Sequence, residues 1–159
     1  MKIRSGMEQG ICVVLILSRL PKEATLTSEV ISERLDVSHS YLKKLMKVLV
    51  HEGLINSSTG KKGGFYLAKP IEKINLYDIF TATEGRGSIF CGQDLISNVI
   101  DGDKREENSE CAITKIMGQV ENKWKESLKE ISLDTVMKQV EEQNDIKNID
   151  EWIKTVTQV

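Results

Sequence analysis

The sequence predicts a mostly α-helical chain with one small β-hairpin, and three observations carry that prediction. Apolar residues recur at helical spacing in several stretches, the longest running from Cys111 to Ile131. Two short runs, "LINS" and "FYLA", flank the glycine- and lysine-rich joint "STGKKGG" and read as paired strands. Hydrophobic residues make up 40% and charged residues 29% of the 159 positions, the balance of a folded chain rather than a disordered one. That length suits one domain, or one domain plus an extension.

In chain order, "GMEQGICVVLILSRL" over 6–20 is apolar on nearly every face from Ile11 to Leu17. Such a helix is expected inside the domain or at a subunit interface. Pro21 ends it. Thr27 stands where it can cap a helix over "SEVISERL", in which Val30, Ile31 and Leu35 form a one-sided apolar face. "DVS" breaks that helix, and Ser38 is expected to cap the next, "HSYLKKLMKVLVHEG". Leu42, Leu45 and Leu49 give this helix an apolar stripe that Val48 widens, while Lys43, Lys44 and Lys47 lie off the stripe. Gly53 is the expected stop. The two strands follow, closed by Pro70. Asn75 is expected to cap a short helix over "NLYDIFTATE", ended by Gly85 and Gly87.

From 88 to about 110 the chain is polar and irregular, with "DGDKREENSE" as an acidic loop. The Cys111–Ile131 helix then carries Ile113, Ile116, Met117, Val120, Trp124, Leu128 and Ile131 on one sustained stripe. A small domain offers little for so long a helix to pack against, so a partner subunit is its natural host. Asp134 is expected to cap a further helical segment. The tail "IDEWIKTVTQV" is weakly amphipathic, suited to dock on the partner or to fray.

Helix, helix, turn, helix and hairpin is the plan of a winged helix-turn-helix. The expected organisation is therefore a winged helix-turn-helix domain over 1–85, a sensor or linker loop over 86–110, and a dimerisation helix with a helical tail over 111–159. Charge supports this division. The net charge of -2 conceals a first part, 1–70, with 11 basic and 6 acidic residues, and a second part with 11 basic and 18 acidic. A basic half joined to an acidic half points to an anionic partner for the first alone, here double-stranded DNA.

A helix entering the major groove puts short polar and basic side chains at its N-terminal end. Ser38, His39, Ser40, Tyr41, Lys43 and Lys44 meet that demand. Tyr41 has the alternative of packing in the core with only its hydroxyl reaching a phosphate. The hairpin tip, Ser58 to Gly64, would lie along the flanking backbone, where Lys61 and Lys62 supply charge and the glycines allow close approach. Phe65 or Leu67 is expected to anchor the return strand, with Tyr66 on the opposite face. The chain has two histidines, His39 and His51, and no Ser–His–Asp set, phosphate loop or paired-histidine motif, so no enzyme is expected. No secretory signal and no apolar run of about 20 residues is present, so the cytoplasm is the expected compartment and no membrane is a partner. Cys12, Cys91 and Cys111 are too few and too scattered for a secreted disulfide framework. They are core residues, redox thiols or metal ligands.

The stretch from Val37 to Gly85, "VSHSYLKKLMKVLVHEGLINSSTGKKGGFYLAKPIEKINLYDIFTATEG", resembles the signature region of the Rrf-two type transcriptional regulators, the family of the IscR- and NsrR-like proteins. The shared pattern is a "VS-x-S-YL" recognition helix, a "GL" before the wing, a wing ending in "GG-aromatic-x-L", and an "I-x-L-x-D-I" helix closing on "EG". The opening "MKI" and the long helix extend the likeness to nearly the whole chain. The resemblance implies a homodimer in which the long helices cross and each winged helix reads one half-site.

Cluster-binding members of that family usually place three cysteines between the "EG" and the long helix. Cys91 and Cys111 match the first and last, but 92–110 has no middle cysteine, and Thr114 stands where a histidine would follow Cys111. The conventional three-cysteine site is not supported. Another branch holds a two-iron, two-sulfur cluster with two cysteines of one subunit and two ligands from the other subunit's first helix. Glu8, Cys12, Cys91 and Cys111 resemble that set, with Cys12 where the branch has histidine. Glu8 and Cys12 would share a helix face, about 5–6 Å apart at Cβ. Thiolates are the usual ligands of such clusters. The residues leave other readings open. Cys12 in an apolar helix suits a small core residue, Glu8 can pair with Arg4, and Cys91 with Cys111 can form a metal-free thiol–disulfide switch. A regulator without its own sensor, governed by a small molecule or a partner protein, is the remaining alternative.

Overall fold

The computed structural model describes residues 5–60, 63–100 and 111–157. In order these form α1 (Ser5–Ser18), α2 (Ser28–Leu35), α3 (His39–His51), β1 (Ile55–Ser58), β2 (Gly64–Leu67), α4 (Leu76–Glu84), α5 (Ala112–Glu130), α6 (Leu133–Gln143) and α7 (Lys147–Thr157). Short 3-10 turns occupy Ile71–Lys73 and Leu95–Asn98. The architecture is the expected mostly α fold with a two-stranded antiparallel wing, and α2, its turn and α3 form the helix-turn-helix. The chain groups into two compact units, Met1–Gly85 with Lys129–Val159, and Arg86–Leu128.

In the first unit, α1 supplies the buried Val13, Val14, Ile16 and Leu17. They share a core with Ile31 of α2, Leu42, Leu45, Met46 and Leu49 of α3, and Ile79 of α4. The α3 stripe is thus buried as its spacing predicts, with Met46 added. Val48 is 38% exposed and stands at the edge of the stripe. Thr27 caps α2 by accepting the Val30 N–H through its side chain. Asn75 opens α4 with a reciprocal capping box, its Oδ1 accepting the Asp78 N–H at 2.9 Å while Asp78 Oδ2 accepts the Asn75 N–H at 3.1 Å.

Two expected caps differ. Ser38 precedes α3 but makes no side-chain cap bond; its hydroxyl pairs instead with Ser40 Oγ at 3.0 Å. Ser132, not Asp134, caps α6, accepting the Thr135 N–H at 3.2 Å. The reason is a long-range one. Ser132 bridges Asn75 in antiparallel fashion, with Leu76 N–H donating to Ile131 C=O and Leu133 N–H to Ile74 C=O. That pairing extends the backbone at Ser132 and sets the cap two residues earlier than the sequence suggests.

The wing pairs Ile55 with Leu67 and Ser58 with Gly64. Leu26 adds a bridge on the far side of β2, opposite Phe65. This explains one glycine of the tip. A Cβ at Gly64 would sit 2.7 Å from Leu26 O, so only glycine allows the backbone to close there. Gly60, at φ 105, takes the left-handed turn that glycine accepts freely. Phe65 and Leu67 are half-buried and Tyr66 is exposed, as strand alternation predicts.

The C-terminal helices join the first unit. Ile153 of α7 and Leu133 of α6 are buried. Arg34 of α2 lies 5.2 Å from the ring centroid of Trp152, a cation–π contact. The tail therefore docks on its own chain's helices through side chains more than a hundred residues away in sequence.

In the second unit, the apolar stripe of α5 lies open. Ile113, Ile116 and Val120 are 46%, 59% and 55% exposed. Among the described residues no helix is long and apolar enough to cross a membrane.

Candidate nucleic-acid interface

Helix α3 presents a polar face because its buried positions are spaced at helical intervals. With Leu42, Leu45, Met46 and Leu49 turned inward, the helical period turns Ser40, Lys44 and Lys47 directly outward, with Lys43 beside them. All four are exposed. Lys47 did not stand out in the sequence as a site residue, since it lies a turn beyond the N-terminal end, yet it shares this face.

The other predicted positions are more constrained. Tyr41, on the flank facing α1, has its hydroxyl against Gly6, where an added Cβ would meet it at 2.9 Å. It remains 44% exposed, so its ring spans from α3 to the start of α1. His39 lies on the α2 flank. Its Nε2 is 3.0 Å from Ser28 Oγ and 3.2 Å from Glu29 Oε1. Ser38 and Ser40 lie exposed with their hydroxyls paired. In the wing, Ser58 Oγ donates to Gly64 C=O at 3.5 Å, and Gly63 N–H returns to Gly60 C=O at 2.9 Å. Lys61 and Lys62 lie outside the described residues.

The candidate cofactor ligands fall into two pairs. Glu8 and Cys12 lie on α1, near enough that the Glu8 carboxylate acts on the thiol. Burial first, and that carboxylate second, push the Cys12 thiol above its ordinary value of 9.0. The free thiol is therefore the favoured form, and a metal at this position would have to displace its proton. Arg4 lies outside the described residues.

Cys91 and Cys111 belong to the second unit. Cys91 is exposed and Cys111 half-buried. Gly92 packs on the Thr114 side chain so closely that a Cβ would have no room. Cys91 thus stands beside the first turn of α5, which Cys111 opens by accepting the Lys115 N–H on its carbonyl. A residue that drew no notice in the sequence holds this arrangement. Glu121 is buried on α5, where one carboxylate oxygen accepts from Ser88 Oγ at 2.8 Å and from the Ile89 N–H at 2.9 Å. The other receives Lys125 Nζ at 2.6 Å. Lys125 first, then Ser88, hold the Glu121 carboxyl down to about 2.

Thiolates with a carboxylate are suitable donors for an iron–sulfur cluster. Among the described residues no three His, Cys, Asp or Glu side chains gather into a metal-holding group.

Comparison with known proteins bears on the winged fold. The profile of the Rrf2 family, described as iron-dependent transcriptional regulators, matches residues 3–139. The HTH-type transcriptional regulator YwgB of Bacillus subtilis (strain 168) is 50% identical over 153 residues, covering 96% of this chain and 95% of that protein. YffB of Lactococcus lactis subsp. lactis (strain IL1403), also named as an HTH-type transcriptional regulator, is 44% identical over 153 residues, covering 96% and 97%. Among solved structures, T. potens IscR superposes with a TM-score of 0.67 at 23% identity, covering 91% of this chain and 92% of that one. CymR, the global cysteine regulator of B. subtilis, superposes at 0.62 with 22% identity, covering 87% and 97%. These two share the fold. With the family profile spanning most of the sequence and two relatives matched almost end to end, the chain belongs to the Rrf2 family of transcriptional regulators, not to a family of enzymes.

Proposed function

We propose that the protein is a homodimeric, sequence-specific DNA-binding regulator. The observation that carries this reading is the outward face of α3, with Ser40, Lys43, Lys44 and Lys47 exposed over a buried leucine stripe and a hairpin wing following directly. Helix α3 enters the major groove, its N-terminal residues meeting base edges, while the wing tip with Ser58, Lys61 and Lys62 follows the flanking phosphates. The exposed stripe of α5 supports the dimer, because an apolar helix face of this length is normally covered. Two copies would present two recognition helices to a two-fold operator. Selection from randomised duplexes, followed by sedimentation of the protein with the selected duplex, tests this. A palindromic consensus bound by two chains supports the reading, and unselective binding by a monomer defeats it.

A second reading is favoured by the packing of Gly92 on Thr114 and by Glu121. DNA binding responds to redox state through Cys91 and Cys111. In the metal-free form, the two thiols would give up two electrons and two protons to a peroxide. A disulfide would form, and the peroxide would leave as water. In the cluster form, Cys91 and Cys111 of one subunit and Glu8 and Cys12 of the other would hold a two-iron, two-sulfur group, which supplies one-electron redox chemistry when bound. Either event acts on the segment between the winged helix and α5, the stretch able to alter the spacing of the two recognition helices. Iron and sulfide analysis with a visible spectrum after anaerobic purification separates the two forms.

A further inference from the structure

Beside the lysine face of α3 stands a carboxylate of α2, Glu29, which lines one concavity with His39 and two further acidic residues, Glu33 and Asp36. It is the second residue of α2, directly behind the Thr27 cap. Its Oε1 lies 3.2 Å from His39 Nε2, and its Oε2 is 3.5 Å from Ser28 Oγ. The Lys43 ammonium acts on the same carboxylate. His39 and Lys43 are separated by four residues, one turn on the α2 flank of the recognition helix. Glu29 therefore borders the side chains expected nearest the bases, and it belongs to the helix before them.

Its ionisation is secured locally. The backbone N–H of Glu29 first, then the Thr27 hydroxyl, and more weakly His39 and Lys43, hold its carboxyl below the ordinary value of 4.5. A permanent negative charge here repels phosphates and costs affinity for DNA in general. The N-terminal dipole of α2 explains why the charge is tolerated, but a serine or threonine cap alone serves the helix without a charge at the DNA face. The side chain remains 57% exposed. A carboxylate offers about four lone-pair sites, and the contacts to His39 and Ser28 leave acceptor capacity on the open side.

Resting on the reading of α3 as the DNA-reading helix, the geometry points to Glu29 as a specificity-determining residue that accepts a hydrogen bond from the exocyclic amine of a cytosine in each half-site. The acceptor belongs to a carboxylate, and in the major groove the cytosine N4 amine is its natural donor. Ser28 and His39 hold the carboxylate in register, so that base pairs lacking an amine at that place face an unpaired negative charge. Discrimination then arises as much from repulsion of wrong bases as from attraction to the right one.

The test uses the full-length protein and a randomised duplex library. The wild type selects a consensus, and every single-base substitution of that consensus is then measured against wild type, Glu29→Gln and Glu29→Ala at several salt concentrations. Wild type is expected to prefer cytosine at one position per half-site by at least about fivefold. Glu29→Ala is expected to erase that preference alone, while binding random duplex more tightly. Glu29→Gln keeps an acceptor for His39 and gains an amide that suits adenine, so preference at the same position should move toward adenine. Unchanged base preference in both variants overturns the proposal and leaves Glu29 a helix-terminus residue. A wild type that selects no consensus overturns the DNA-reading role of α3 and this proposal with it. If Glu29→Ala does not fold, the shift or constancy of preference in Glu29→Gln decides alone.

Discussion

Arg19 grips Asp150 with two parallel hydrogen bonds, Nε to Oδ1 at 2.9 Å and Nη2 to Oδ2 at 2.7 Å. Its Nη1 reaches Glu141 Oε1 at 2.9 Å. One guanidinium just past the end of α1 therefore holds both α6 and α7. The fork geometry is the strong form of a charge pair, but Asp150 is about a third exposed and solvent screens it. Arg19→Ala is expected to cost about 1 kcal/mol, read as a lower urea midpoint, and to bring protease cleavage into 144–157. Asp150→Asn should give a smaller loss, because one acceptor survives. Unchanged protection of α7 in both variants would rule the clamp out.

Glu121 sets the pH behaviour of the second unit. Its folded carboxyl titrates at about 2 against an ordinary 4.5. A depressed carboxyl stabilises the fold fully above its unfolded value, and that stabilisation is lost as pH falls from about 4.5 to about 2. The Ile89 amide, which donates to this carboxylate, reports the event directly. Its hydrogen-exchange protection is expected to be flat from neutral pH to about 5 and to fall below 4.5, after correction for intrinsic exchange. Glu121→Gln should lower protection at Ile89 already at neutral pH, since Lys125 loses its charged partner.

The wing and the recognition helix should fail differently. Lys61→Ala with Lys62→Ala is expected to weaken binding to all duplexes alike and to reduce the salt slope by up to about 2. Ser40→Ala or Lys43→Ala should instead change which duplexes are preferred. An equal loss at every salt concentration for the lysine pair would remove the wing tip from the phosphates.

For the cysteines, Cys91→Ala with Cys111→Ala is expected to abolish any redox dependence of DNA binding while leaving the winged unit folded, because neither residue lies in that core. Cys12→Ala distinguishes the forms. It should leave a peroxide-driven disulfide intact but lower iron and sulfide content if a cluster assembles across two chains. Full redox response in the double variant would sink the sensor reading.

Local signals were legible where local chemistry decides. Thr27 and Asn75 cap their helices because each needs only backbone amides two or three residues away. The leucine stripe of α3 and the Gly–Lys tip of the wing are likewise short-range patterns, and with them came the family. The open stripe of α5 was visible as an unhosted apolar face. Ser38 was misleading because Ser40, two residues on, competes for its hydroxyl.

The rest depended on partners distant in the chain. Asp134 looked like a cap until the Asn75–Ser132 bridge extended the backbone at Ser132. The tail was expected to dock on the partner or to fray, because nothing nearby announces Arg19 and Arg34 as its anchors. Glu121 carried no signal in the sequence, and its partners Ser88 and the Ile89 amide lie more than thirty residues away. The contact of Glu29 with His39 joins two helices and has no local signature. Sequence by itself determined the class of the protein, since periodicity, caps and turn chemistry act over a few residues and are written consecutively. The tertiary structure alone decided which charges meet, because a hydrogen bond between residues 131 apart in sequence leaves no local trace until the chain closes on itself.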